Sequence, residues 1–452
     1  MSFAAGTRVH VVGVGGAGMS GVARMLVEMG CVVSGSDALD SPTLLELETA
    51  GVRVSQGHDE SNVRGAQVVL WSPAVSLENV ELVAARRGGA RLLSRSELLS
   101  ELGATKRVIG LTGTHGKTTA TSMMVCVSVA AHRDDARLLG APVRDVGANG
   151  HWGRDDLILE VDESFGTFAQ LSPFALGVLN VEADHLDHYG TLDELDRSFA
   201  ALVERTTGPV VFFDEPGSRR VASQVHRGSS FVGYDDGPWR VRDMRLERHA
   251  SSFTLSGPGE DFEVALAVTG RHNVANAAVV AVLARSLDIA RHAVVEGLAR
   301  FRGAPRRFEF LGVWRGVDVI EDYAHLPGEV QATIEACVAS GYARIGVVFQ
   351  PHRYSRTEKL ASEFANAFSG CSLLIVTDVY GAGEANPSGI TGDVVATAVL
   401  TSSPAFEVAY AASFADVVEV LNVASEQLDV LLLLGAGDVA EIAAELSGGL
   451  RP

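Results

Sequence analysis

The sequence predicts an α/β protein of about three domains, each built on a buried parallel sheet. Its 48 glycines gather between apolar runs and helical patterns rather than in low-complexity tracts, and tight strand-to-helix turns need residues without a Cβ. Apolar runs such as LILE, IGVVF and VLLLL end in polar or glycine-rich residues. That pattern marks strands buried on both faces, with functional loops at their C-terminal ends. The length of 452 residues, at roughly 150 per domain, sets the domain count. A composition of 47% hydrophobic and 21% charged residues lets each domain bury an ordinary core.

The elements follow in order. RVHVVGVGGAGMSGVARMLVEMG, residues 8–30, reads as a strand, a glycine turn and a helix with apolar positions at helical spacing. A second strand, CVVSGSD, ends on Asp37, and short strand–helix segments continue to about residue 105. VIGLTGTHGKTTATSMM, residues 108–124, repeats the strand–loop–helix arrangement. After the arginine-rich FRGAPRRFEF come four more apolar runs, in VDVIEDYAH, ARIGVVFQPHR, LLIVTDVYGAG and VLLLLGAGD. These features divide the chain into domains at 1–106, 107–305 and 306–452, with 132–156 the least regular stretch.

Composition excludes several function classes. Against 56 acidic residues stand 37 basic ones, a formal charge of −19, and no Lys/Arg run supplies the basic face that nucleic acid requires. An anionic ligand must then be held by local loops, helix N-termini and single arginines. Four scattered cysteines, with no C-x-x-C pair, read as small buried residues of a reducing compartment. No apolar run approaches the roughly 20 residues needed to span a bilayer, and the N-terminus lacks a charged-then-apolar leader pattern. The expected location is the cytoplasm, without membrane insertion.

Gly13-Val-Gly15-Gly16-Ala-Gly18 matches G-x-G-x-x-G between a strand and a helix. Such glycines bring the backbone close to a pyrophosphate whose charge rests on the helix N-terminus. Asp37, at the end of the next strand, is placed to accept a ribose hydroxyl. Alone, the motif suits an NAD-dependent oxidoreductase, a UDP-sugar binder or a packing turn.

The second loop, Gly113-Thr114-His115-Gly116-Lys117-Thr118-Thr119, keeps the GKT core of a phosphate loop. Its leading glycine is displaced, because the standard position falls on Leu111. Backbone N–H groups can cradle phosphate oxygens, Lys117 can contact the β- and γ-phosphates, and the Thr118 hydroxyl can ligate Mg²⁺. Two acidic segments follow apolar strands downstream. One carries Glu160, Asp162 and Glu163; the other carries Glu182, Asp184, His185, Asp187 and His188.

Together these motifs resemble the Mur ligases, the ATP-dependent amino-acid-adding enzymes of peptidoglycan synthesis. HVVGVGGAGMSGVA with SGSD, LTGTHGKTT, EVDES, NVEADHLDHYG, GRHNVANA, FRGAPRRFE, DYAHLP, FQPHRYSRT, DVYGAGE and GAGD carry the resemblance across essentially the whole chain. It is strongest to the alanine-adding branch. The resemblance implies an N-terminal Rossmann-like domain, a central P-loop-type ATPase domain and a C-terminal Rossmann-like domain. The substrates it implies are UDP-N-acetylmuramate, L-alanine and ATP with Mg²⁺. ATP would activate the lactyl carboxylate as an acyl phosphate, which the amine of alanine attacks.

By the same resemblance Lys117 holds phosphates, Thr118 and Glu160 hold one Mg²⁺, and His185 with Glu160 holds a second. His272, Asn273 and Asn276 match positions near the adenine, Arg306 a phosphate contact and Asp322 a ribose contact. Arg353 and Arg356 match the positions that bind the incoming carboxylate, with Tyr323, His325 and His352 nearby. Glu321 and Leu326 depart from the family's DDYGHHP pattern, Phe165 from the aspartate after DES, and Pro305 from the glycine of FxGxGRRF. The competing readings are a recycling ligase that joins UDP-N-acetylmuramate to a preformed peptide, and an NAD-dependent dehydrogenase with an added ATPase domain.

Overall fold

The structure, a computed structural model, describes residues 3–72, 75–143, 146–163, 168, 170–184, 186–234, 237–446 and 449–450. It contains three sheets in two compact units, one of residues 1–245 with 251–302 and the other of 246–250 with 303–452.

The first sheet has five parallel strands, β1 (Arg8–Val12), β2 (Val32–Asp37), β3 (Arg53–Gln56), β4 (Val68–Trp71) and β5 (Arg91–Ser94). Their order is β3-β2-β1-β4-β5, the half-Rossmann order, in which the chain reverses direction across the sheet between β1 and β4. The glycine turn leaves β1 at that switch point. Val9, Val11 and Val12 are buried, as a strand covered on both faces requires.

The second sheet has ten strands. They are β6 (Val108–Thr112), β7 (Ala136–Leu138), β8 (Gly150–His151), β9 (Leu157–Glu160), β10 (Ala175–Val178), β11 (Val210–Phe213), β12 (Ser230–Gly233), β13 (Trp239–Leu246), β14 (Ser251–Gly257) and β15 (Glu260–Leu266). The order is β15-β14-β13-β12-β11-β10-β6-β9-β7-β8. β10 and β9 flank β6 in parallel, so the chain after each emerges at one edge of the sheet. The irregular stretch 132–156 supplies β7 and the edge strand β8. There Asn149 Nδ2 donates to Ser20 Oγ at 3.0 Å, tying the edge to the helix Ala17–Glu28. The antiparallel β14–β15 hairpin matches the alternation of FTLSGPGEDFEV about a Gly-Pro-Gly turn.

The third sheet has β16 (Glu309–Trp314), β17 (Val317–Asp322), β18 (Ile345–Phe349), β19 (Leu373–Val376), β20 (Val408–Tyr410) and β21 (Val430–Leu434), ordered β16-β17-β21-β18-β19-β20. Only β16 runs antiparallel. The four runs expected after residue 310 are the buried strands β17, β18, β19 and β21. All four cysteines are free and buried. Among the described residues no helix is long and apolar enough to cross a membrane.

Candidate functional site

The phosphate loop is positioned by three neighbouring strand ends. Beyond β6 the ladder continues, with Leu179 N donating to Thr112 O and Val161 N to Leu111 O, both at 2.9 Å. Asn180 and Glu160 therefore stand on either side of Gly113–Gly116. Asn180 clamps the loop: its Oδ1 accepts from Thr114 Oγ1 at 2.7 Å and His115 N at 2.8 Å, and its Nδ2 donates to His115 O at 3.0 Å.

Two glycines are steric necessities here. Gly113 has φ +146° and a Cβ would lie 2.9 Å from Asn180 O; Gly116 has φ +82° and a Cβ would lie 2.8 Å from Asn276 Oδ1. Gly116 caps the helix Lys117–Ala130, which is buried along nearly all its length. A helix N-terminus with its first amides facing a glycine loop favours an anion.

Lys117 and Thr118 open that helix; Lys117 meets an acid from the loop after β9 and Thr118 meets the last residue of β9. Lys117 Nζ donates to Glu163 Oε1 and Oε2 at 2.8 and 2.7 Å, and to Gly113 O at 2.9 Å and Thr114 O at 3.3 Å. Asp162 Oδ1 is farther, at 3.7 Å. Glu163 is wholly buried; burial pushes its carboxyl above the usual range, against the pull of the Lys117 ammonium. The Thr118 hydroxyl donates to Glu160 Oε1 and Oε2 at 3.1 and 3.0 Å. Thr119 is buried in the same turn. His115 is exposed, with Nε2 3.6 Å from Glu182 Oε2. His185 and Phe165 lie outside the described residues. Among the described residues no group of three or more His, Cys, Asp and Glu side chains forms a metal cluster.

The GRHNVANA segment caps the helix Arg271–Ser286. Its buried Asn276 packs beneath Gly116, an approach across 160 positions. Asn273 is also buried and donates to Thr269 O at 2.7 Å, whereas His272 is exposed.

At the first glycine loop, Gly13 N and Val14 N donate to Ser36 O at 2.8 and 3.0 Å. Asp37 Oδ2 accepts from Gly15 N at 2.9 Å, and Oδ1 from Leu39 N at 3.3 Å, so its carboxylate braces the loop. Gly16 precedes the helix Ala17–Glu28, and Gly18 lies under the guanidinium of Arg95, which would sit 3.0 Å from a Cβ there. Beneath this region Glu81 is fully buried. It accepts from Ser36 Oγ and Asn62 Nδ2 at 2.6 Å each and lies 2.9 Å from His58 Nδ1. Burial alone would push its carboxyl up, but hydrogen bonds from His10, Ser36, Asn62 and His58 outweigh that and hold it at about 2.

In the second unit the candidates collect at the ends of β17, β18 and β21. Arg306, at φ +60°, donates from Nε to Glu321 Oε1 and from Nη2 to Gly435 O and Gly437 O, each at 2.8 Å. Asp322 accepts from Phe308 N at 2.7 Å and Ala324 N at 2.8 Å. Both side chains thus hold turns of their own unit. Tyr323 lies under the Arg306 and Arg307 guanidinium groups, at 4.8 and 5.3 Å. His325 stands edge-on to both Tyr323 and His352, and His352 stacks on Tyr380 at 5.7 Å. Burial, with His325, Arg356 and Arg353 adding to it, pushes the His352 imidazole down to about 4.

Arg353 and Arg356 separate. Arg356 Nη1 lies 3.4 Å from His352 Nδ1, while Arg353, at φ +68°, turns Nη1 to 3.8 Å from Glu384 Oε1. Arg353 precedes the helix Tyr354–Leu360, and Arg356 lies within it. Leu326 precedes the helix Pro327–Ala339, and its N–H is bonded by Glu329 Oε2 at 3.1 Å.

Comparison with known proteins agrees along the whole chain. Three family profiles match: Mur ligase family, catalytic domain, over residues 8–107; Mur ligase middle domain over 152–284; and Mur ligase, glutamate ligase domain, over 306–437. UDP-N-acetylmuramate--L-alanine ligase of Thermobifida fusca is 40% identical over 451 residues, covering 96% of this chain and 95% of that protein. The protein of the same name in Rubrobacter xylanophilus is 39% identical over 445 residues, covering 97% and 99%. The crystal structure of UDP-N-acetylmuramate-alanine ligase from Thermotoga maritima superposes with a TM-score of 0.83 at 27% identity, covering 97% of this chain and 98% of that one. A murein peptide ligase from Psychrobacter arcticus shares the fold, with a TM-score of 0.72 at 22% identity and 98% coverage of both chains. From ordered motifs, three sheets and full-length similarity alike, the chain belongs to the Mur ligase family.

Proposed function

We propose that this chain is an ATP-dependent ligase that joins L-alanine to the lactyl carboxylate of UDP-N-acetylmuramate, a step of peptidoglycan precursor synthesis in the cytoplasm. The full-length relatives of that name support the substrates. The observation that carries the chemistry is the meeting of Lys117, Thr118 and Glu160 around one glycine loop at adjacent strand ends. Residues 1–106 bind the UDP-sugar, 107–305 bind ATP and 306–452 bring the amino acid.

Expelling oxide from a carboxylate is too costly for an amine to achieve, so the carboxylate first takes a phosphoryl group from ATP. Lys117 and the amides of Gly116–Thr118, at the helix N-terminus, bind and orient the phosphates. The residues present fit Mg²⁺: the Thr118 hydroxyl and the Glu160 carboxylate are hard oxygen donors side by side, and Mg²⁺ takes such ligands with phosphate and water. Thr118 and Glu160 would hold it, with His185 beside a second ion, and bound there it neutralises phosphate oxygens. Arg356, beside an imidazole that stays neutral at working pH, supplies a cation for the alanine carboxylate. The amine then attacks the acyl phosphate, the C–N bond forms, and inorganic phosphate leaves.

Purified protein with Mg·ATP and UDP-N-acetylmuramate should release phosphate only when an amino acid is added, fastest with L-alanine. Release that ignores UDP-N-acetylmuramate would sink this reading. Release that requires a preformed peptide instead of alanine would favour the recycling reaction.

A further inference from the structure

We propose that Glu163 competes with the nucleotide for Lys117, so that the chain carries its own phosphate mimic inside the phosphate loop. This rests on the reading of Gly113–Thr119 as the ATP site. An ammonium has three N–H donors. Those of Lys117 are taken by Gly113 O, Thr114 O and the two carboxylate oxygens of Glu163, the last at 2.8 and 2.7 Å. A phosphate can reach Nζ only by displacing one of these partners.

The two carbonyls belong to the loop itself, whose path is set by Gly113 against Asn180 O and by the Asn180 clamp. They move only if the loop does, so the carboxylate is the partner that yields. Glu163 is wholly buried and cannot exchange Lys117 for bulk water. Its carbonyl oxygen accepts from Tyr189 Oη at 2.6 Å, which pins its backbone to the helix Leu186–Tyr189. Glu163 therefore cannot follow Lys117 freely when the ammonium turns toward phosphate. Breaking this buried ion pair has a cost, and that cost is subtracted from nucleotide binding. Glu163 is a positioning residue: it holds Lys117 against the loop carbonyls and weakens the grip on ATP and ADP.

Calorimetric titration of Mg·ADP and of a non-hydrolysable ATP analogue into E163Q tests this. The amide keeps the shape and removes the charge. The expected result is a Kd for both ligands about 10-fold lower than in the unaltered chain, with the Kd for UDP-N-acetylmuramate unchanged. General structural damage would weaken nucleotide binding rather than tighten it. Equal or weaker nucleotide binding by folded E163Q overturns the proposal. If E163Q does not fold, Glu163→Asp replaces it: drawing the carboxylate back should tighten nucleotide binding about 2- to 3-fold, and no tightening again overturns the proposal. An unaltered chain that binds neither nucleotide refutes the ATP-site reading, and this inference with it. Normal binding by the unaltered chain without tightening in the variants refutes the inference alone.

Discussion

Substituting Gly116 by alanine adds one carbon to the phosphate loop at its most crowded point. At φ +82° the new residue occupies left-handed backbone, which costs an ordinary L-residue about 1–2 kcal/mol. Its Cβ would also lie 2.8 Å from Asn276 Oδ1 and 2.9 Å from Nδ2, against a side chain only 4% exposed. Overpacking of that kind costs about 1–3 kcal/mol. Together the two effects destabilise by about 3 kcal/mol, which at about 2 °C per kcal/mol lowers Tm by roughly 6 °C. The displaced loop amides should also raise the KM for ATP. The contributions separate in a double-mutant cycle measured by urea denaturation. In an Asn276→Ala background the clash is gone and Gly116→Ala should cost only the backbone strain, about 1–2 kcal/mol. Equal cost in both backgrounds would refute the packing of Asn276 beneath the loop. A Gly116→Ala protein with unchanged Tm and KM would refute the left-handed cap as well.

Three further outcomes are expected. Lys117→Ala should abolish alanine-dependent phosphate release while UDP-N-acetylmuramate still binds, because the two glycine loops serve different ligands; calorimetry showing loss of UDP-sugar binding contradicts that division. Arg356→Ala should raise the KM for L-alanine at least 10-fold, through loss of a charge-assisted contact, and leave the KM for ATP within about 2-fold; equal shifts in steady-state kinetics mean that the arginine does not read the amino acid. Glu81 has a folded pKa depressed from 4.5 to about 2, so its stabilisation is complete above about pH 4.5 and lost as pH falls toward 2. At about 1.4 kcal/mol per pH unit this is about 3 kcal/mol. Denaturation at stepped pH should show that acid loss in the unaltered chain and a flatter acid limb in Glu81→Gln, and parallel limbs would refute it.

What could be read without tertiary structure is what short-range chemistry encodes. Buried strands followed by glycines and a helical pattern mark β1 and β6, and the GKT core marks Lys117 and Thr118, because strand, turn and helix signals all lie within about 20 consecutive residues. The pairings that make these loops a site lie beyond that range. Glu163 reaches Lys117 across 46 positions, Asn180 reaches Thr114 across 66, and Asn276 lies beneath Gly116. The order β10-β6-β9 chooses those partners, and sheet order arises from packing of whole strands rather than from any local motif. The same cause gave some candidates partners within the fold. Asp37 braces Gly15, Asp322 and Arg306 hold turns, and Arg353 faces Glu384. A charged residue's type is written in the sequence. Whether its charge points at a ligand or is spent on the fold is decided only when buried backbone groups nearby have found their partners.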